Sequence, residues 1–259
     1  MNAPRPCEGV DPRRVEEACL NGLQTQRQLF HDGWLLRVSP GKAKRARSVN
    51  AFFGSTLPLE AKIDYCERLY ARHGLPVLFR VTPFDAPREL DAALAARGYE
   101  AFGTTLTQVL RLSRPLVMRM AEDVDLVVPT SEQFVTALGA FQHSSPEQCA
   151  AHLERLAATP LATRSVLALK DGCAVGTGSV ALEDGLAGIY SVATASEFRG
   201  QGIATSIVGA LLSWAWEHSS THAFLQVEAD NLRAASLYRT FGFMDAYAYH
   251  YRGRPGECE

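Results

Sequence analysis

Two rhythms of apolar and polar positions run along this chain. In LEAKIDYCERLYARHG, residues 59–74, the positions Ile63, Cys66, Leu69 and Tyr70 fall three or four apart, which predicts a helix with one buried side that stops at Gly74. Ile203, Ile207, Val208, Leu211, Leu212 and Ala215 repeat that spacing and predict a second long helix from about 203 to 218. Asp11 as a cap and Pro12 in the first helical position predict a helix over 11–30. Shorter helices are expected over PRELDAALAARG, over SEQFVTALGAF and SPEQCAAHLERLAAT, each with a serine cap, and over NLRAASLYRTFG. Between them lie β-rich runs. GWLLRVS and RARSVNAFF are expected to be strands joined through Pro40-Gly41, and LPVLFRVT, YEAFGTTLTQVLRL, VDLVVPT, AFLQVEAD and FMDAYAYHYR are further strands. Residues 165–194 read as three strands joined by the hairpin turns Asp171-Gly172 and Asp184-Gly185.

Helices therefore alternate with strands, some of them in hairpins, and the fold class is α/β with a mixed sheet. The 259 residues suffice for two ordinary domains, and 47% hydrophobic with 21% charged content is that of a soluble globular protein. The Pro and charge content of 114–121 places a boundary there, giving domains 1–115 and 120–259. The two halves also share a pattern. VLFRVT…LDAALAARGYEAFGTTLTQVLR and AFLQVEADNLRAASLYRTFGFMDAYAYHYR both run strand, short helix, Gly-aromatic, strand, and superpose when counted from Gly98 and Gly242.

Charge and cysteine content narrow the function. Twenty-six Lys and Arg against 28 Asp and Glu leave a formal charge of −2, so no general attraction to nucleic acid or to an anionic membrane is expected. GKAKRARSV, with Lys42, Lys44, Arg45 and Arg47, is the basic cluster, open between a solvated turn and a patch for an acidic ligand. The six cysteines show no C-x-x-C pair and no finger spacing, so neither a disulfide framework nor a metal site is expected. MNAPRPCEGV has no apolar signal core and no apolar run approaches ~18 residues, which together predict a cytoplasmic protein.

The chemistry centres on FRGQGIATSI, residues 198–207. A Gly-x-Gly turn lets backbone N–H groups approach a ligand, and a helix starting at Gly202 would aim its unpaired first-turn N–H groups at the same place, as a phosphate cradle does. A plain turn before a helix, a dinucleotide loop and the pyrophosphate loop of acyl-CoA transferases all fit these residues taken alone. The dinucleotide reading wants the loop after a first strand, with parallel strands following, whereas hairpin-linked strands precede it here.

Three pieces in order over about 120–252 resemble the GNAT acetyltransferases, which move an acyl group from coenzyme A to an amine: a hairpin-rich front, the loop Arg199-Gly-Gln-Gly202-Ile-Ala204, and NLRAASLYRTFGF with Asn231, Tyr238 and Gly242-Phe243. The resemblance implies two GNAT-like domains, each a mostly antiparallel sheet with flanking helices, the C-terminal one holding a splayed pair of parallel strands. It implies acetyl-CoA as cosubstrate, with the backbone of Ser191, Val192, Ala193 and Thr194 along the pantetheine arm and the N–H of Val192 or Ala193 near the thioester oxygen. It further implies a cradle of Arg199, Gly200, Gln201, Gly202, Ile203, Ala204 and Thr205, with Asn231 touching the arm and Tyr238 protonating the leaving thiolate. Some relatives place a basic Glu where Gln226 stands. Glu228, two residues on and on the same face of the strand, is the first substitute, followed by Glu183, Asp184 and His143. The amine acceptor is expected against the loop GAFQHSSPE, with Phe141 and His143 as contacts.

The first half departs from that pattern. Between SVNAFF and the helix at Glu60 it reads GSTLPL, without Arg-x-x-Gly-x-Ala, and Leu94 stands where Tyr238 superposes. A degenerate half that covers the sheet edge and shapes the acceptor pocket is expected, with KRARSVN facing the acceptor. The activity expected is N-acetyl transfer to a primary amine, against the alternatives of a non-catalytic acyl-CoA-binding protein and a protein-protein module. Acceptor identity and oligomeric state stay open.

Overall fold

The computed structural model describes residues 9–25, 27–113 and 120–256; Cys7, Cys258 and most of the expected boundary segment 114–121 lie outside the described residues. Helix α1 (Pro12–Asn21) begins at Asp11, whose carboxylate accepts the Arg13 N–H at 2.9 Å. It ends at Asn21, not near residue 30: Gly22 closes it, and Gln28–His31 (β1) pairs antiparallel with Trp34–Arg37 (β2) across Asp32-Gly33. Asp32 and Gly33 both have positive φ, 42° and 82°, the hairpin conformation that Asp-Gly favours. That turn overrides the helical reading because the ladder satisfies backbone groups that a frayed helix end would leave to water.

The first half continues through β3 (Val49–Asn50), α2 (Leu59–Arg72), β4 (Phe79–Val81), α3 (Leu90–Ala96) and β5 (Glu100–Arg111). The second holds β6 (Asp125–Val127), α4 (Ser131–Gln142), α5 (Pro146–Ala158), β7 (Ala162–Lys170), β8 (Cys173–Glu183), β9 (Leu186–Thr194), α6 (Ile203–Glu217), β10 (His222–Glu228), α7 (Leu232–Phe241) and β11 (Met244–Gly253). Thr130, not Ser131, caps α4 through a reciprocal box with Gln133, and Ser145 caps α5 with Gln148.

All strands join one 11-stranded mixed sheet in the order β1-β2-β3-β4-β11-β5-β10-β9-β8-β7-β6. The halves interlock by exchanging strands. β5 lies antiparallel between β10 and β11, and β11 lies antiparallel between β4 and β5, so the last strand of each repeated unit pairs with the first strand of the other. The sheet is thus continuous across the expected division at 115–120. Two parallel pairs remain, β3 with β4 and β9 with β10, each bridged by a crossing helix, α2 and α6.

Burial follows the periodicity. Ile207, Val208, Leu211 and Leu212 of α6 are each 0% exposed, and burying each stabilises the fold by roughly 1.5–3 kcal/mol. α6 lies close on β8, for a Cβ on Gly178 would come within 2.4 Å of Ile207 Cγ2. Under α1 the interior is charged: Arg80 of β4 pairs with Glu16, which also accepts a hydrogen bond from Tyr247 of β11 at 2.7 Å. This buried cluster ties α1 to strands from both halves.

Candidate active site

β9 and β10 part in mid-strand. Their parallel pairing runs from Leu186 with His222 to Ile189 with Leu225 and stops there. Beyond it, β9 bulges. Against β8, Ser179 faces Tyr190 but Thr177 faces Ala193, so β9 carries one extra residue, and Ser191 takes a φ of 54°. Thr177 Oγ1 donates to the Ser191 carbonyl at 2.9 Å and holds the bulge. Gln226 to Glu228 keep β5 as their partner, so one edge of β9 over residues 190–194 has no strand partner.

A 3-10 turn at Ser196–Phe198 leads from that edge to the start of α6. Gly200 and Gly202 sit at φ 84° and 79°, where a side chain would be strained. Gly202 caps α6 without any side-chain hydrogen bond, so the first N–H groups of the helix point outward uncapped. Arg199 is exposed beside this turn, its Nε 3.4 Å from the Thr194 carbonyl. Gln201 is also exposed, while Ile203 is buried and anchors the helix.

Asn231 caps α7, its Oδ1 accepting the Ala234 N–H at 3.1 Å. Seven residues on, Tyr238 is 8% exposed and packs edge-on against Phe243, with ring centroids 6.0 Å apart. Burial pushes its hydroxyl up to about 12, so it stays protonated through neutral pH.

A cavity of about 790 Å³ opens at the parting of the strands. Ser191, Gln226 and Glu228 line it from the second half, and the run Lys42 to Arg47 lines it from the first. Of the proton-acceptor candidates, Glu228 alone reaches this cavity. Glu183 accepts a hydrogen bond from Asn21 at 2.8 Å and Asp184 pairs with Arg14 at 3.4 Å, both at the β8–β9 turn, the other end of β9. His143 is an exposed left-handed residue closing α4, and Phe141 packs with the α4 core. Neither lines the cavity; their neighbours Gln142 and Ser144 do. Tyr238 does not line it either.

Tyr190, His152 and Arg155 are among the lining residues that the sequence reading did not name. Burial, with Arg155 nearby, lowers the His152 imidazole to about 4, so it is neutral at pH 7. Burial and the neighbouring Arg45 lower the Arg155 guanidinium to about 10. Gln148, His152 and Arg155 are four and three apart on α5, so a polar stripe on one helix face was the available signal. Among the described residues no three His, Cys, Asp or Glu converge as metal ligands, and no helix is long and apolar enough to cross a membrane.

Residues 132–243 match the family model described as acetyltransferase (GNAT) family. The chain is 28% identical over 246 residues to the Bacillus subtilis (strain 168) protein named "Uncharacterized N-acetyltransferase YobR", covering 93% of this chain and 98% of that one. Its fold is similar to a solved GCN5-related N-acetyltransferase from Kribbella flavida, with a TM-score of 0.70, 20% identity and 94% and 95% of the two chains covered. It is also similar to a tandem GNAT protein from the clavulanic acid biosynthesis pathway, with a TM-score of 0.61, 18% identity and coverage of 75% and 68%.

Proposed function

We propose that this chain, which carries a GNAT acetyltransferase domain at residues 132–243, transfers the acetyl group of acetyl-CoA to a primary amine by direct attack. The observation that carries this reading is the unpaired edge of β9 running straight into an uncapped helix N-terminus through two left-handed glycines. The edge suits the amide-bearing pantetheine arm, which would add hydrogen bonds along Ser191 to Thr194. The turn and first N–H groups over Arg199 to Thr205 suit the pyrophosphate, because they offer donors and the positive end of a helix dipole.

The amine nitrogen forms a bond to the thioester carbon, and the carbon-sulfur bond breaks as the tetrahedral intermediate collapses. The N–H of Val192 or Ala193 meets the oxyanion, where charge grows only during attack. Tyr238 gives its proton to the departing thiolate, and Asn231 orients the arm with the amide nitrogen that capping leaves over. Glu228 takes the proton from the attacking amine, since it lines the cavity where that amine would stand. The first half acts as a degenerate partner of the catalytic half: it lends β5 to the central sheet and closes the acceptor cavity with residues 40–47.

Tyr238→Phe tests the assignment. The expected outcome is a fall in kcat of roughly 10²-fold, with acetyl-CoA binding by calorimetry unchanged. An unaltered kcat in a folded variant removes the acid role. Wild-type protein that binds acetyl-CoA yet acetylates no amine in a broad panel would leave a non-catalytic binding protein.

A further inference from the structure

The cavity carries more positive charge than acetyl transfer by itself explains. Lys42, Lys44, Arg45, Arg47 and Arg155 all line it, against one carboxylate, Glu228. None of the loop residues 199–205 lines it, so this charge stands apart from the proposed pyrophosphate cradle. Lys42 donates to the Gln142 carbonyl and Lys44 lies over the Phe102 ring at 5.6 Å, so each has a structural partner. Arg45 and Arg155 do not. Among the described residues neither forms an ion pair, and Arg45 Nη1 is fully buried without a hydrogen bond.

Two guanidiniums near each other and withdrawn from water are costly without a counter-anion, and no described side chain supplies one. The phenols of Tyr190 and Tyr251 line the same cavity, and burial pushes both well up, so they are neutral at pH 7 and supply no counter-charge. Two more buried polar atoms there lack partners: the Tyr190 hydroxyl and Gln226 Oε1. Gln226 Oε1 can only accept, and its Nε2 already donates to Thr107 at 3.2 Å. Arg45 Nη1 can only donate. The cavity therefore offers unsatisfied donors and a surplus of positive charge from residues 42–47 and α5, and an unsatisfied acceptor on β10 two residues from Glu228.

We propose that the acceptor is a small amine that also bears an anionic group, carboxylate or phosphate, its anionic oxygens held by Arg45 and Arg155 and its amine directed to Gln226 and Glu228. This rests on the acetyl-transfer reading above and names the substrate class for it. A guanidinium suits carboxylate and phosphate alike, through paired N–H donors. Polyamines and other polycations are disfavoured by the same charges.

The test uses the full chain, acetyl-CoA and matched acceptors that differ only in the anion: free amino acids against their amides, and phosphoethanolamine against ethanolamine, with spermidine as a cationic control. The expected result is a kcat/KM at least about tenfold higher for the anionic member of one series, and that series identifies the anion. Arg45→Gln should raise KM for that member at least about tenfold and erase the preference, while kcat and the KM for acetyl-CoA change little; Arg45→Lys should restore part of it. Should Arg45→Gln fail to fold by thermal melt, Arg155→Gln carries the same expectation. Equal use of charged and neutral partners, or a preference for spermidine, overturns the proposal and leaves acetyl transfer standing. If no amine is acetylated, saturation-transfer NMR of the same pairs with coenzyme A present decides: preference for the anionic members upholds the pocket and sinks the acetyl-transfer reading, and equal binding overturns the pocket.

Discussion

The two parallel strand pairs of the sheet are each bridged by a helix, and the two strand-to-helix junctions differ in what satisfies their backbone donors. Before α6 the turn is built from Gly200 and Gly202, and no side chain caps the helix. Before α2 the corresponding place is filled from within. The Asp32 carboxylate accepts the Leu57 N–H at 2.8 Å and the Thr56 N–H at 3.0 Å, takes the Thr56 hydroxyl at 2.8 Å, and lies 3.2 Å from the buried Lys62 ammonium. Hydrogen bonds from Leu57 and then Thr56 hold that carboxyl well below the usual carboxylate range. The turn bearing it is pressed onto the junction, for a Cβ on Gly33 would stand 2.2 Å from the Gly54 carbonyl oxygen. An anion, Asp32, completes the α2 junction permanently, and the α6 junction keeps its donors for a ligand in the proposed function.

The interiors differ in the same sense. The buried charged residues among those described, Glu16, Arg37, Lys62, Arg80 and Asp85, all belong to the first half, while the core around α6 is almost wholly apolar. Buried ion pairs fix a geometry more than they stabilise it. In the first half they tie α1 to β4 and α2 to the β1–β2 turn, whereas the second half relies on apolar packing.

The sharpest break in this contrast would be to separate the halves. A fragment of residues 120–259 loses β5, leaving β10 and β11 with unpaired edges, and is expected to be insoluble; a soluble fragment with full activity would refute the shared-sheet argument. Next in size, Arg80→Met leaves Glu16 charged, buried and held only by Tyr247, an expected loss of about 3–5 kcal/mol by urea unfolding. Gly202→Val and Gly33→Ala should separate the junctions cleanly. The first is expected to weaken acetyl-CoA binding by about 100-fold while the protein stays folded, and the second to lower the thermal midpoint while leaving acetyl-CoA affinity intact. Loss of acetyl-CoA affinity in both would show that the junctions are not independent.

The smallest effect is a slope. Because the Asp32 carboxyl is depressed in the fold, its contribution is present above its unfolded value of 3.8 and is lost as pH falls toward the lower folded value. His152 acts in the same direction at higher pH: its folded value of about 4 lies below the ordinary 6.5, so folding weakens as pH drops from near 6.5 to near 4. Asp32→Asn should be less stable at neutral pH yet flatter below pH 4, and identical acid slopes in variant and wild type would contradict the capping role.

Where the chemistry is local, it was readable in the chain. A left-handed turn needs Gly200 and Gly202, a cap needs Asn231, and a buried helix face needs Ile207, Leu211 and their neighbours, so each of these announces itself within a few residues. The departure over 22–30 is local too, for Asp32-Gly33 is as strong a hairpin signal as Asp171-Gly172 and Asp184-Gly185. By contrast, the partners of the cavity are far apart in sequence. Arg45 is reached by the expectation that KRARSVN faces the acceptor, whereas Arg155 of α5 and Tyr190 of β9 join it only through the folded arrangement of helix and sheet.

The sequence by itself therefore determined most of the elements, the mixed α/β class, the loop before α6 and the resemblance carried by 199–204 and 231–243, since these depend on backbone preferences and periodicity over short spans. Tertiary structure alone decided that β5 and β11 are exchanged, that Asp32 completes the junction at α2, and that Arg155 and Tyr190 join the basic run of the first half in one cavity. Pairing register and long-range electrostatics are settled by which surfaces must be buried together, and no short stretch of chain contains that information.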